Sequence, residues 1–394
     1  MNTVLVVVMS TISRDNRVLR QIQALKSNYR VLTIGFGPSP QGASEHFSIP
    51  EHLTYLPLNL SALVPHVLGD YRRSSQNTAA IRFVRKLVHN LAFDLAIVND
   101  VAALPLLHFI DKPVIVDMHE YAPLELENDW RFRIFLKRFN FWLCKKYLSK
   151  ANAVTTVSHG LANRFEFEFG VQVSVIYNAR EQRQIEVRES KSLSLRLVHT
   201  GLAAKARQLE VMIEAVSTIS HMTLDLYLVE APYQTHTMKR LVKVARSTNN
   251  VKILDPVKPE MIPDLISEYD LALIYIASDS FTLRHGMPNK LFDAVQARVG
   301  VVSGPSDEIS NFCSKKKIGV STSKFDAGEL ETLLRAIDLK AVNEFKFNCN
   351  KVAMEINADT EAIKLLVLVG NEVQKLKALI ESDKVMCKEN DPEF

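Results

Sequence analysis

The stretch Thr3–Phe36, TVLVVVMSTISRDNRVLRQIQALKSNYRVLTIGF, contains the unit that the rest of the chain repeats. Thr3–Met9 and Tyr29–Phe36 are short runs rich in β-branched residues and bounded by turn formers. Runs of this kind without polar alternation are typical of parallel strands covered on both faces. Between them, Arg17–Ser27 has the apolar spacing of a helix that buries one face. Further strands are predicted at Leu95–Val98, Val114–Asp117, Ala153–Val157 and Val173–Tyr177, with helices at Ala79–Leu91, Trp130–Ser149 and Leu161–Glu168. Strands that alternate with helices specify an α/β sheet, doubly wound with helices on both faces.

The polar segment Arg180–Ser194, REQRQIEVRESKSLS, interrupts this rhythm, and a second series follows it. Its strands are predicted at Leu195–His199, Leu224–Val229, Val251–Leu254, Leu271–Tyr275 and Gly300–Val302. Its helices are predicted at Leu209–Ile219, Thr237–Arg246, Met261–Glu268 and Lys290–Ala297. A chain of 394 residues exceeds one ordinary core, so two domains are expected, 1–185 and 195–355, joined by a linker at 186–194. Glu355–Ile380 is expected as a long final helix and 381–394 as a disordered tail. Sheets of this type bind ligands at the carboxyl ends of their strands, and two facing domains would enclose a central cleft.

An apolar fraction of 47% with 23% charged residues is the composition of a globular protein. The net charge of +4 gives no support to a nucleic-acid partner. Residues 1–193 carry 23 Lys+Arg against 17 Asp+Glu, and the remainder 25 against 27, so an anionic partner is expected for the first half. Cys144, Cys313, Cys349 and Cys387 show no Cys-x-x-Cys spacing, which fits reduced cytoplasmic thiols and speaks against a zinc site. The N-terminus lacks a basic n-region, and no apolar run approaches the ~20 residues that span a bilayer. There is no G-x-G-x-x-G after a strand and no P-loop, so dinucleotide and P-loop chemistry are unsupported. No Asp-x-Asp of the metal-dependent sugar transferases is present either.

In Arg284–Asp293, RHGMPNKLFD, Pro288 stands where a helix starts, because its missing N–H is unsatisfied there anyway. The amides of Asn289, Lys290 and Leu291 then point out of a helix N-terminus, a setting that favours a diphosphate, and Lys290 adds charge. Asp293, one turn on, is suited to accept hydrogen bonds from ribose or sugar hydroxyls. A capped helix with a surface Lys–Asp pair accounts for the same residues and stays open here.

RHGMPNKLFDAVQARVGVV followed by GPSDEI resembles the donor-binding signature of retaining GT-B glycosyltransferases of the family-4 type, in the branch that builds bacterial surface polysaccharides. The resemblance covers most of the chain and implies two Rossmann-like domains facing a central cleft. It places Asp293 at the second acidic position of the signature, on the ribose, while His285 stands at the first. Leu197–Ala215, LVHTGLAAKARQLEVMIEA, resembles the strand–loop–helix that opens the donor domain. By that match Gly201 lines the site, Arg207 takes the place of the diphosphate-binding lysine, and Leu202 stands where the family has arginine, with Lys205 as a compensating cation. Ser13–Val18 resembles the first loop near the donor phosphates, which brings in Arg14. Asp117-Met118-His119-Glu120 resembles a DxHE segment whose histidine, here His119, projects towards the transferred sugar. The last helix would cross back to the first domain.

These matches imply a metal-independent retaining transferase that uses a nucleotide-diphosphate sugar as donor substrate, needs no cofactor, and has a glycan or lipid-linked glycan as acceptor. His119, Arg207 and Lys290 are the expected catalytic groups, and Arg14, Gly201, Lys205, Asn289, Leu291 and Asp293 the expected donor contacts. Retention in this family is explained by same-face attack assisted by the leaving phosphate. An epimerase or hydrolase on the same fold, or a non-catalytic partner subunit, are the alternatives. The basic, aromatic segment 130–150 is consistent with peripheral contact at the inner face of an anionic membrane. For its aromatics, packing into the core is the expectation.

Overall fold

The computed structural model describes residues 1–231, 235–277 and 279–389, the side chains of 235 and 379–389 excepted. The chain divides into two compact units, 1–176 with 361–394, and 177–360. Each is built on one parallel sheet with helices between its strands.

The first unit contains β1 (Thr3–Thr11), β2 (Arg30–Phe36), β3 (Glu45–Ile49), β4 (Leu95–Asn99), β5 (Val114–Met118), β6 (Ala153–Thr156) and β7 (Val173–Val175). Their order in the sheet is β3-β2-β1-β4-β5-β6-β7, and every pairing is parallel. β4 and β5 are buried along their whole length, as the unbroken apolar runs require. The order reverses between β1 and β4, so the crevice at their carboxyl ends is the position where such a sheet takes a ligand. Val4, Val6, Leu95 and Ile97 share one buried core with Leu365, Val369 and Val373 of the last helix.

The second unit contains β8 (Arg196–Ala203), β9 (Thr223–Glu230), β10 (Val251–Leu254), β11 (Leu271–Ile274), β12 (Gly300–Ser303) and β13 (Gly319–Ser321). The order is β10-β9-β8-β11-β12-β13, again parallel, with the reversal between β8 and β11. Both units are therefore doubly wound, Rossmann-like α/β sheets.

Several elements differ from the sequence expectation. β3 and β13 have no counterpart in it, because EHFSI is half polar and GVS is only three residues long. The segment 130–149 forms two helices, Trp130–Phe135 and Lys137–Tyr147, separated at Leu136. Its aromatics divide: Phe132, Phe139 and Tyr147 are buried, whereas Trp130 and Phe135 are half exposed. The expected final helix is present as Ala358–Glu389, and a further helix, Leu339–Glu355, precedes it; the two are separated because Ile356 is extended and Asn357 caps the second through its side chain. That helix reaches Glu389, into the expected tail 381–394, and 390–394 lie outside the described residues. Residues 177–195 carry no helix or strand and are fastened to the second unit. Arg180 bonds Asp293, and the Ser190 amide donates to Asn343 Oδ1 at 2.8 Å.

Candidate functional site

In the second unit the expected donor residues gather at the carboxyl end of β8. Gly201 has φ of +138°, a conformation that side chains rarely adopt. A Cβ at this position would also collide with Nζ of Lys290. Lys290 is the second residue of the helix Asn289–Ala297, whose N-cap is Pro288 with extended backbone and no side-chain cap. The N–H of Leu291 turns back onto the Pro288 carbonyl at 3.1 Å, a tightened first turn, and the Leu291 side chain is buried. Asn289 is exposed at the mouth of this turn. The Lys290 ammonium donates to the Thr200 carbonyl. Burial and then the Arg207 charge push the Lys290 pKa down to about 7, against the pull of Asp293.

Lys205 and Arg207 form a single 3-10 turn, Lys205–Arg207, between β8 and the helix Leu209–Ser217. The Ala277 amide donates to the Ala206 carbonyl at 2.8 Å, which ties this turn to the end of β11. Burial lowers the Arg207 pKa, and its charge still acts on Lys290 and on His199. Lys205 is exposed, and Leu202, at the family's arginine position, is 39% exposed.

Asp293 is 2% exposed, and its carboxylate faces Arg180. Nε of Arg180 is 2.6 Å from Oδ1 and Nη2 is 3.4 Å from Oδ2. The group expected on a ribose is thus also half of a buried ion pair. His285 ends the short helix Phe281–His285, and its ring packs on Phe281 with centroids 4.5 Å apart.

The first unit carries a second polar cluster at the β1/β4 reversal. Asp117, at the end of β5, is buried and held by Arg17 through Nε–Oδ2 at 2.6 Å and Nη2–Oδ1 at 2.7 Å. Gln21 donates to Asp117 Oδ2 at 2.6 Å and to Asn99 Oδ1 at 3.0 Å, and Thr155 donates to Asp117 Oδ1 at 2.5 Å. Burial alone would raise the Asp117 pKa, but Arg17 and the His119 hydrogen bond hold it far below the usual carboxylate range.

His119 lies between two carboxylates, with Nδ1 3.0 Å from Asp100 Oδ2 and Nε2 3.3 Å from Asp117 Oδ2. Burial opposes its charge, yet Asp100 and Asp117 together raise its pKa to about 10. The imidazole is therefore a fixed cation near neutral pH, suited to hydrogen bonding and charge stabilisation and unsuited to general-base work. Asp100 reaches both the ring and the backbone amide of His119 from a left-handed conformation, φ +62°. Beside it, burial and then Glu125 and Asp100 push the Glu120 pKa up to about 7. Arg14 ends the turn that follows β1 and is exposed.

Sequence reasoning did not single out His199, Arg180 or the Asn99–Asp100 pair. His199 looks like one more polar residue inside LVHTG, and Arg180 like linker charge. Among the described residues no group of three or more His, Cys, Asp and Glu is arranged to hold a metal ion.

Residues 16–181 match the model of the family described as Glycosyltransferase Family 4. No curated protein sequence matches the chain. Among solved structures, the chain is similar to Anabaena HepE in complex with UDP, with a TM-score of 0.69 at 15% identity, over 94% of this chain and 100% of that one. It is similar to sucrose-phosphate synthase from Thermosynechococcus elongatus, with a TM-score of 0.67 at 12% identity, over 96% and 100% of the two chains. An E. coli structure described as trehalose-6-phosphate bound with UDP-2-fluoro glucose gives 0.66 at 12% identity, over 95% and 99%. The fold is thus the GT-B fold of these glycosyltransferases. The residues around Gly201 and Lys290 lie outside the segment matched by the family domain.

Proposed function

We propose that the protein is a retaining glycosyltransferase that moves a sugar from a nucleotide-diphosphate donor to a hydroxyl of a growing bacterial surface glycan. The observation that carries this reading is the packing of Lys290 against Gly201 at the end of β8, beside the N-terminus of Asn289–Ala297. Backbone without a side chain, a helix N-terminus and two cations, Lys290 and Arg207, form a setting for a diphosphate. The same groups would stabilise the charge of the leaving diphosphate without a metal. His119, a positive charge in the first unit, would meet sugar or acceptor hydroxyls. HepE binds UDP and UDP-glucose, which supports a nucleotide sugar as donor.

Peripheral contact with an anionic membrane belongs to the same proposal, and the first unit supports it. Ten of the twenty exposed large apolar side chains among the described residues lie in 55–68 and 126–135. The two segments meet where His66 Nε2 bonds the Phe135 carbonyl at 2.8 Å. Arg72, Arg73, Arg131, Arg133, Lys137 and Arg138 are exposed in and beside them. Apolar surface flanked by cations suits a lipid headgroup boundary. No helix among the described residues is long and apolar enough to cross a membrane.

A thermal-shift panel of UDP, GDP, ADP and CMP tests the donor site, because a ligand that binds only the folded state raises its stability by mass action. One nucleoside diphosphate should stabilise the protein, and Lys290→Ala should remove most of that shift. An unchanged shift in this variant would refute the site.

A further inference from the structure

His199 stands on β8, two residues before Gly201, and is 2% exposed. Its Nδ1 lies 2.8 Å from the Leu273 carbonyl, an oxygen that only accepts, so Nδ1 carries the proton and Nε2 a lone pair. Nε2 is buried and has no hydrogen-bond partner. Buried orphans of this kind are rare and call for an explanation.

The space that Nε2 faces is already defined. A Cβ built on Gly201 would lie 4.0 Å from Nε2 and against Nζ of Lys290. The charged groups acting on the ring are Lys290, from the helix Asn289–Ala297, and Arg207, from the turn after β8. The Leu273 carbonyl of β11 is the partner that favours its charged form, while Asp293 acts on Lys290. Two basic side chains, Lys290 and His199, therefore converge on one glycine, and the Arg207 charge acts on both.

We propose that His199 is a third basic partner of the donor diphosphate, its Nε2 taking up a proton as the anion arrives and donating it to a phosphate oxygen. This rests on the donor-site reading above. In the sequence of events, the Lys290 ammonium leaves the Thr200 carbonyl for a phosphate oxygen and uncovers Nε2. A proton from solvent then adds to the Nε2 lone pair, while Nδ1–H stays on Leu273. No bond between heavy atoms changes. Without ligand, burial and then the Lys290 charge hold the His199 pKa well below its ordinary value, so the ring is neutral. Two phosphate charges beside it reverse the sign of the local field and favour the imidazolium.

The test is calorimetric titration of the full chain with UDP, GDP and ADP at pH 8, in two buffers of different ionisation enthalpy. The diphosphate that binds should be taken up with about one more proton by the wild type than by His199→Gln. By linkage, each proton taken up weakens binding about tenfold per pH unit on the alkaline side, so the variant should have the flatter profile. Lys290→Arg removes the lysine titration, and the proton uptake that remains should be that of His199. Equal uptake in the wild type and His199→Gln overturns the proposal. Should His199→Gln fail to fold, imidazole nitrogen NMR of the wild type decides. Nε2 should change from the unprotonated to the protonated shift on ligand binding, and a ring that stays neutral in the complex rejects the idea. If no nucleoside diphosphate binds, the donor-site reading itself falls, a separate outcome.

Discussion

The Arg180 guanidinium and the Asp293 carboxylate form an ion pair within the second unit, 2.6 Å apart at their closest atoms and 113 residues apart in sequence. The carboxylate is almost wholly buried, so removing Arg180 takes the guanidinium away from a charge shielded from water. Arg180→Ala should destabilise the protein by about 3–5 kcal/mol, measured by denaturant unfolding. Asp293→Asn should cost less, because the amide oxygen still accepts from Arg180. Equal, small losses in both would show that the pair contributes little.

Gly201→Ala should weaken binding of the preferred nucleoside diphosphate by at least about tenfold, roughly 1.4 kcal/mol. The new methyl occupies the position of the Lys290 ammonium, and the backbone there, φ +138°, disfavours any side chain. Calorimetric titration measures the effect, and circular dichroism checks that the sheet has survived. Wild-type affinity in this variant would contradict the close approach.

His119 makes a pH-dependent contribution. Its pKa in the folded state is raised to about 10 by Asp100 and Asp117 acting against burial. Folding is therefore favoured in full below the unfolded value of about 6.5, and this contribution is lost as pH rises towards 10. The difference in stability between the wild type and His119→Gln should shrink steadily from pH 6.5 to 10 in urea melts. A constant difference would mean that the imidazole is not charged in the native state.

Replacing Trp130, Ile134 and Phe135 together with Ser should release the protein from vesicles that contain anionic phospholipid, with little change in melting temperature. All three side chains are half or more exposed, so little core is lost. Neutral vesicles should bind the wild type weakly, because Arg131, Arg133, Lys137 and Arg138 have no headgroup charge to meet. Co-sedimentation that survives the triple substitution would place the contact elsewhere.

Much of the scaffold was legible without coordinates because the burial of parallel strands leaves a local mark. VLVVV in β1, LAIV in β4 and VIV in β5 are apolar at every step, since both faces of those strands are covered. Pro288 announced its helix for an equally local reason, the amide it lacks. Strands such as GVS in β13 were not legible, because three residues carry no period. Nor was the break at Leu136, where LK-R continues a helical spacing without any glycine or proline.

The amino-acid sequence by itself determined two α/β halves and most of their elements, because patterning and turn chemistry act over a few residues, while the grouping of Gly201, Arg207 and Lys290 came from the family resemblance. Only the tertiary structure decided the state of the polar groups. It matched Asp117 to Arg17 across a hundred positions, fixed His119 as a cation between two carboxylates, took Asp293 into a pair with Arg180 and left Nε2 of His199 without a partner. Charge and hydrogen bonding depend on which atoms meet and how much water is excluded, and neither is written in the spacing of residues along a chain.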